Sequence, residues 1–150
     1  MLSEEKDLRH VYQQWSLPEA LLYFQLIEQA LKEIILLHHK LIQIRLDGFS
    51  TYNYSENSIN DAAMGRLIDL FKVFCEDSEF IKLLRSVKTD RDRIAHKGYL
   101  EIHPSHTGDY LITKEISKVK NSVNKASVVL SRLKTINSES QSKLDSVNNV

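Results

Sequence analysis

Residues 16–46, SLPEALLYFQLIEQALKEIILLHHKLIQIRL, form a long amphipathic stretch that decides the fold class. Apolar residues recur in it at steps of three and four, which is the period of a helix with a wide apolar face. Ser16 followed by Glu19 is a capping box at the start, and Asp47–Gly48 is a stop signal. We therefore predict a long helix that packs inside a bundle. Its apolar positions are Leu21, Phe24, Leu26, Ile27, Leu31, Ile34, Ile35, Leu37, Leu41 and Ile42.

The same periodicity predicts helices on both sides of this stretch. A short lead-in helix is expected within residues 1–15, before a break at Leu17–Pro18. Further helices are expected from Ser58 to about Glu76, from a cap at Ser78 to a stop at Gly98, and from Thr113 to about Ile136. The predicted fold class is therefore all-α, a four to five helix up-down bundle.

One domain and a tail are expected from the length of 150 residues. We assign residues 1–15 to the lead-in helix, residues 16–136 to the bundle, and residues 137–150 to a disordered tail. The tail, NSESQSKLDSVNNV, is polar and lacks a usable apolar face.

Composition argues against several classes of protein. Lys plus Arg and Asp plus Glu each number 20, so no global positive field attracts nucleic acid. The single Cys75 leaves no disulfide framework and suits a reducing compartment. No stretch of about eighteen residues lacks charge, and the N-terminus has no apolar targeting segment, so we expect a cytoplasmic protein that does not span a membrane.

Two pairs of histidines outside the main motif are candidate metal ligands. His38 and His39 are adjacent, so their side chains diverge on a helix and a metal site is not expected. His103 and His106 flank Pro104 in a loop, which also argues against a metal clamp. No metal or cofactor is therefore predicted.

Aromatic residues concentrate in the turn-rich segment 47–57, DGFSTYNYSEN. Phe49, Tyr52 and Tyr54 either pack over the end of the bundle or stack on a nucleobase. Packing is the simpler interpretation.

A basic segment runs from Lys82 to Lys97, with six basic residues against two acidic ones. Such an excess could face phosphate groups. A solvated helix face is the simpler alternative.

The stretch RDRIAHKGY, residues 91–99, combines side chains that can act on a phosphodiester. Arg91 is permanently charged, a histidine such as His96 can carry a proton near neutral pH, and Asp92 lies one turn before His96, where it could orient the imidazole and raise its pKa. Arg91 also falls on the apolar side of its helix and therefore needs an anionic partner. The alternative is a cluster of ion pairs at the end of a helix.

Arg91, Asp92 and His96, near the end of the third core helix and before one more long helix, resemble the motif of the HEPN superfamily of helical-bundle proteins. The resemblance covers about residues 16–136. It implies a ribonuclease that dimerises through the motif helix, with His96 as general acid or base and Arg91 on the scissile phosphate. Asp92 would fix the His96 tautomer. We assign substrate-binding roles to the surrounding Lys88, Arg93, Lys97 and Tyr99.

The resemblance also implies partners. RNA is the expected substrate of a homodimer, and an antitoxin or other regulatory protein could accompany it, since such proteins often act as toxins or as anti-phage growth-arrest effectors. The alternative is a non-catalytic helical dimer that binds a nucleotide or a partner protein.

Overall fold

The computed structural model describes the backbone of residues 2–101 and 109–149 and the side chains of residues 7–96 and 112–149. All regular structure in these ranges is helical, which confirms the all-α class. The elements are α1 (Leu2–Val11), a π-helical turn (Tyr12–Ser16), α2 (Leu17–Arg45), α3 (Glu56–Asn60), α4 (Met64–Lys72), α5 (Ser78–Glu101) and α6 (Asp109–Asn148). Within the described ranges, no helix has the length and apolar character needed to cross a membrane. His103 and His106 lie outside the described residues.

The predicted break at Leu17–Pro18 is wrong, because the helical backbone continues from α1 through a π-helical turn into α2. The Leu17 N–H donates to the Tyr12 carbonyl, five residues earlier. Pro18 has no N–H to donate, and its ring would clash with the carbonyl four residues before it, so the wider π turn accommodates it. Ser16 is buried inside this turn and does not act as the predicted N-cap.

Two compact units make up the chain. The first unit comprises Met1–Gln25 and Ser86–Val128, and the second comprises Leu26–Arg85 and Val129–Val150. Each has its own set of buried apolar side chains. Those of the first unit include Tyr12, Leu17, Ala20, Phe24, Val87, Ile94, Ile112, Ile116, Val119 and Ala126. Those of the second include Ile27, Leu31, Ile34, Ile35, Met64, Leu67, Ile68, Phe71, Phe80, Leu84, Val129 and Leu133.

In the second unit, the helix predicted from Ser58 to Glu76 is divided into α3 and α4. Ser55, rather than Ser58, caps α3, because its hydroxyl accepts the Ser58 N–H at 3.1 Å. Ile59 and Met64 are both buried. Five residues apart on one regular helix, they would point about 140° apart. The break between α3 and α4 lets both side chains reach the core.

The segment after α2 packs on that helix through an aromatic cluster, which we define as His38, His39, Tyr52, Tyr54 and Phe74. The His39 ring stacks on Tyr52 and Tyr54, and His38 stacks on Phe74 with the ring centroids 4.6 Å apart. His39 Nδ1 lies 2.6 Å from the Tyr52 hydroxyl. The packing interpretation of the two tyrosines is therefore the one that the structure supports, whereas Phe49 remains 90% exposed.

Stability should fall on acidification because of His39. Burial lowers the pKa of His39, and the charge on His38 lowers it further. The unfolded chain therefore takes up a proton at higher pH than the folded chain, near the ordinary pKa of about 6.5. Stability that is present above that pH is lost as the pH drops towards the folded-state pKa. Urea unfolding from pH 7.5 to 5 should show this loss, and His39→Phe should reduce it while the exposed control His10→Ala should not. If the unfolding free energy of His39→Phe falls with pH as steeply as that of the wild type, His39 is not the cause of the loss.

Both predicted ends of α5 need correction. The N-cap is Asp77 rather than Ser78, since Asp77 Oδ1 accepts the Phe80 N–H at 3.1 Å. The helix passes through Gly98 and ends at Glu101. A glycine costs only about 1 kcal/mol inside a helix, so Gly98 weakens the last turns without ending them.

The tail predicted to be disordered is helical, because α6 continues to Asn148. Ser140 and Leu144 are buried, and the Asn137 amide donates to Glu33 Oε2. These positions extend the buried stripe of Leu130 and Leu133 at helical spacing. A small polar residue replaces an apolar one at 140, so hydropathy alone does not reveal the stripe.

Candidate active site

The α5 residues of the RDRIAHKGY stretch lie in the first unit and differ in exposure. Arg91, Asp92 and Arg93 are half-buried, Ile94 is buried, and His96 is exposed. On a continuous helix, residues five apart lie about 140° around and 7.5 Å along the axis. Arg91 and His96 of one chain therefore point in different directions and do not form a pocket by themselves.

Both oxygens of the Asp92 carboxylate have partners other than His96. Lys88 Nζ donates to Oδ2 at 2.6 Å, and Arg91 Nη1 donates to Oδ1 at 3.0 Å. The hydrogen bond from Lys88, followed by that from Arg91, holds the pKa of Asp92 below its usual range. Asp92 is therefore an anion that steadies the Arg91 guanidinium, which answers the need of Arg91 for an anionic partner.

The prediction that Asp92 orients His96 does not match this geometry. No hydrogen bond or ion pair connects the His96 ring to a side chain that the structure describes. The two carboxylate oxygens of Asp92 contact Lys88 and Arg91 instead. In this chain, Asp92 positions Arg91 and leaves the imidazole of His96 open to solvent.

Arg93, predicted to bind substrate, forms an ion pair across two helices. Its Nη1 lies 2.6 Å from Glu115 Oε1 on α6. The Glu115 side chain is only 6% exposed. A buried carboxylate requires a positive partner, and this pairing gives Arg93 a structural role.

Ion pairs also account for the rest of the basic segment as far as its side chains are described. In the first unit, Lys88 and Arg91 pair with Asp92. In the second, Lys82 pairs with Glu79 and Arg85 pairs with Asp69. The side chains of Lys97 and Tyr99 lie outside the described residues. The positive excess read from the sequence is thus offset by nearby carboxylates.

A second cross-helix cluster was not foreseen from the sequence. Lys125 of α6 donates to the Ser86 hydroxyl at 2.6 Å and to Asp90 Oδ2 at 2.9 Å, both on α5. With the Arg93–Glu115 pair, it shows that α5 and α6 run antiparallel in this unit. The ion pair between Lys125 and Asp90 joins the two helices, which gives Lys125 a structural role.

The sequence contains only a weak signal for the ion pair between Arg93 and Glu115. Glu115 follows Ile112 by three residues and precedes Val119 by four, so it lies on the apolar stripe of α6. A carboxylate on such a stripe indicates a buried ion pair, but not which residue provides the cation.

No group of three or more His, Cys, Asp or Glu side chains arranged to hold a metal occurs within the described ranges. His38 and His39 belong to the aromatic cluster.

Comparison with known proteins identifies no relative. No protein-family model matches the chain, and neither a curated protein nor a solved structure matches it.

Proposed function

We propose that the protein is a metal-independent endoribonuclease that acts as a dimer, with the substrate's own 2′-hydroxyl as the nucleophile. The observation that carries the proposal is the placement of an exposed His96 on the same continuous helix as a half-buried Arg91 that Asp92 holds in place. An open imidazole can exchange protons, and a fixed guanidinium can bind a phosphate through two parallel hydrogen bonds.

The proposed reaction requires two proton transfers, one from the 2′-hydroxyl to the protein and one from the protein to the leaving 5′-oxygen. A neutral His96 takes the proton of the 2′-hydroxyl as its oxygen attacks the adjacent phosphorus. The bond from phosphorus to the 5′-oxygen breaks, and a protonated His96 gives its proton to that oxygen. The products are a 2′,3′-cyclic phosphate and a 5′-hydroxyl. Arg91 stabilises the extra negative charge on the phosphate oxygens in the transition state.

The dimer in this proposal comes from the resemblance to HEPN proteins, and it would compensate for the divergence of Arg91 and His96 on one helix. Two α5 helices related by a two-fold axis would bring two arginines and two histidines to one cleft, so that one His96 acts as base and the other as acid. This arrangement is the one that the resemblance to HEPN proteins implies. A role as a cytoplasmic toxin or anti-phage growth-arrest effector, controlled by an antitoxin, belongs to the same proposal.

A specific observation favours a second candidate, a non-catalytic helical dimer that binds a nucleotide or a partner protein. Lys88, Arg91 and Arg93 all contact carboxylates, so a phosphate has to compete with Asp92 and Glu115 for them. In this alternative, the charged residues of the stretch stabilise α5 and its contact with α6.

Cleavage of matched RNA and DNA strands separates the two candidates. Purified protein is incubated in EDTA with a pool of RNA oligonucleotides and with 2′-deoxy strands of the same sequences. The ribonuclease proposal predicts fragments from RNA alone, because DNA lacks the nucleophile. Binding without cleavage of either pool would favour the second candidate. Sedimentation under the same conditions should give a dimer, and a monomer would contradict both candidates.

A further inference from the structure

A small cavity in the second unit lies between α2 and α6. Its volume is about 200 Å³. Seven residues line it: Leu26, Gln29, Ala30 and Glu33 from α2, and Leu130, Lys134 and Asn137 from α6. The Asn137 amide of α6 donates to Glu33 Oε2 of α2 at 3.3 Å, so the two helices lie side by side at this groove.

The lining of this groove is apolar between two charged residues. Leu26 is 42% exposed, whereas Ala30 and Leu130 are buried. The small side chain of Ala30 leaves room that a larger residue would fill. An apolar body in the groove would therefore cover surface that is now open to water.

The charged groups of the groove have no charged partners among the described residues. The Glu33 carboxylate accepts hydrogen bonds from two neutral amides, Gln29 Nε2 and Asn137 Nδ2, each at 3.3 Å. Neither Glu33 nor Lys134 has an oppositely charged group within ion-pair distance in the described part of the chain, although both line one groove.

Asn137 also has a buried side-chain oxygen, Oδ1, without a hydrogen-bond donor among the described residues. Its orientation is well defined, because a flipped amide would turn an oxygen towards the Glu33 carboxylate, which can only accept.

We propose that the groove binds a free apolar α-amino acid. Its ammonium group lies against Glu33, its carboxylate lies against Lys134, and its side chain covers Leu26, Ala30 and Leu130. The size agrees, since a cavity of about 150 Å³ holds a benzene ring and drug-sized ligands need about 300 Å³ or more. A zwitterion with a short apolar body is the chemical class that matches both charges and the volume. This site does not depend on the proposed function.

The test uses L-leucine as the probe and two analogues that each lack one charge. Amide chemical shifts of the full chain are followed by NMR during titration with L-leucine, 4-methylpentanoate or 3-methylbutylamine. The proposal predicts saturable shifts centred on residues 26–33 and 130–137 with leucine, and binding at least about tenfold weaker with each analogue, because each loses a charge-assisted hydrogen bond. No saturable shift with leucine, or equal affinity for either analogue, would overturn it.

Substitutions of Glu33 and Lys134 test whether these two residues bind the charged groups of leucine. Glu33→Gln and Lys134→Met should each weaken leucine binding by about tenfold. Glu139→Gln and Lys143→Met make the same chemical changes at exposed positions of α6 and should leave it unchanged. All four positions are exposed, so circular dichroism should show a preserved fold. Unaltered affinity in both groove variants would show that leucine does not bind as proposed.

Discussion

Replacement of His96 by alanine is expected to lower the rate of RNA cleavage by about a hundredfold to ten-thousandfold, the usual contribution of a general acid or base. In the proposed dimer, the change removes both the base and the acid. His96 is exposed and has no hydrogen bond or ion pair to a described side chain, so the fold and its stability should be unaffected. Initial rates are measured on a single labelled RNA, with circular dichroism and urea unfolding on the same samples.

A matched control for this change is His10→Ala, because His10 is also exposed and belongs to the same compact unit. It should cleave at the wild-type rate. If His96→Ala and His10→Ala retain equal activity, the cleavage does not depend on the imidazole of His96, and the proposed chemistry is contradicted.

Removal of the Arg93 guanidinium should be the most damaging single change to stability in the candidate site. Arg93→Met leaves the buried Glu115 carboxylate without its cation, and breaking a buried ion pair in this way costs about 3–5 kcal/mol. Because the Arg93 side chain is 27% exposed, some water reaches the pair, and we expect the lower end, about 3 kcal/mol. Urea unfolding measures the loss.

The double variant Arg93→Met with Glu115→Leu should regain most of that stability, since it removes both charges together. Arg66→Met changes an exposed arginine in the same way and should have little effect. If Arg93→Met keeps full stability and instead weakens RNA binding, then Arg93 is a substrate-binding residue, as the sequence predicted, and its structural role is minor.

The positions of the main helices could be predicted because hydrophobic periodicity is a local property of the sequence. Residues 17–45 and 78–98 carry an apolar residue at nearly every third or fourth position, and both are helical. The ends of the helices could not be predicted, because the burial of apolar side chains can outweigh the effect of a helix-breaking residue such as Pro18. Tyr12, the first residue of the π turn, and Leu17, the residue that follows the turn, are completely buried. Burying two such side chains contributes several kcal/mol, more than the roughly 3 kcal/mol that a proline costs.

The sequence does not reveal the continuation of α6 beyond residue 136, for a related reason. Leu144 is buried in a segment that consists mostly of serine, asparagine and charged residues. The apolar Leu144 and the small Ser140 are enough to pack the end of α6 when α2 provides a neighbouring surface. The average composition of the segment does not show these two positions. Disorder predicted from polarity alone is therefore unsafe where the helical spacing of an earlier stripe continues.

In the candidate site, too, residues close together in the sequence could be predicted, whereas contacts between residues far apart in the sequence could not. Arg91 and His96 could be chosen from the sequence, since they lie in one short motif. The partners of the surrounding charges could not, because Glu115 and Lys125 are 22 and 35 residues away from Arg93 and Asp90. Helix geometry lets Asp92 contact either Lys88 or His96, each four residues away, so its actual partners could not be chosen from the sequence.

The most direct test of the ribonuclease proposal is an analysis of RNA ends after digestion in EDTA by the wild-type protein and by His96→Ala. The proposal predicts fragments with 2′,3′-cyclic phosphate and 5′-hydroxyl ends from the wild type, and almost none from the variant. Fragments with 5′-phosphate ends, equal cleavage by the two proteins, or no cleavage of any RNA offered would contradict it.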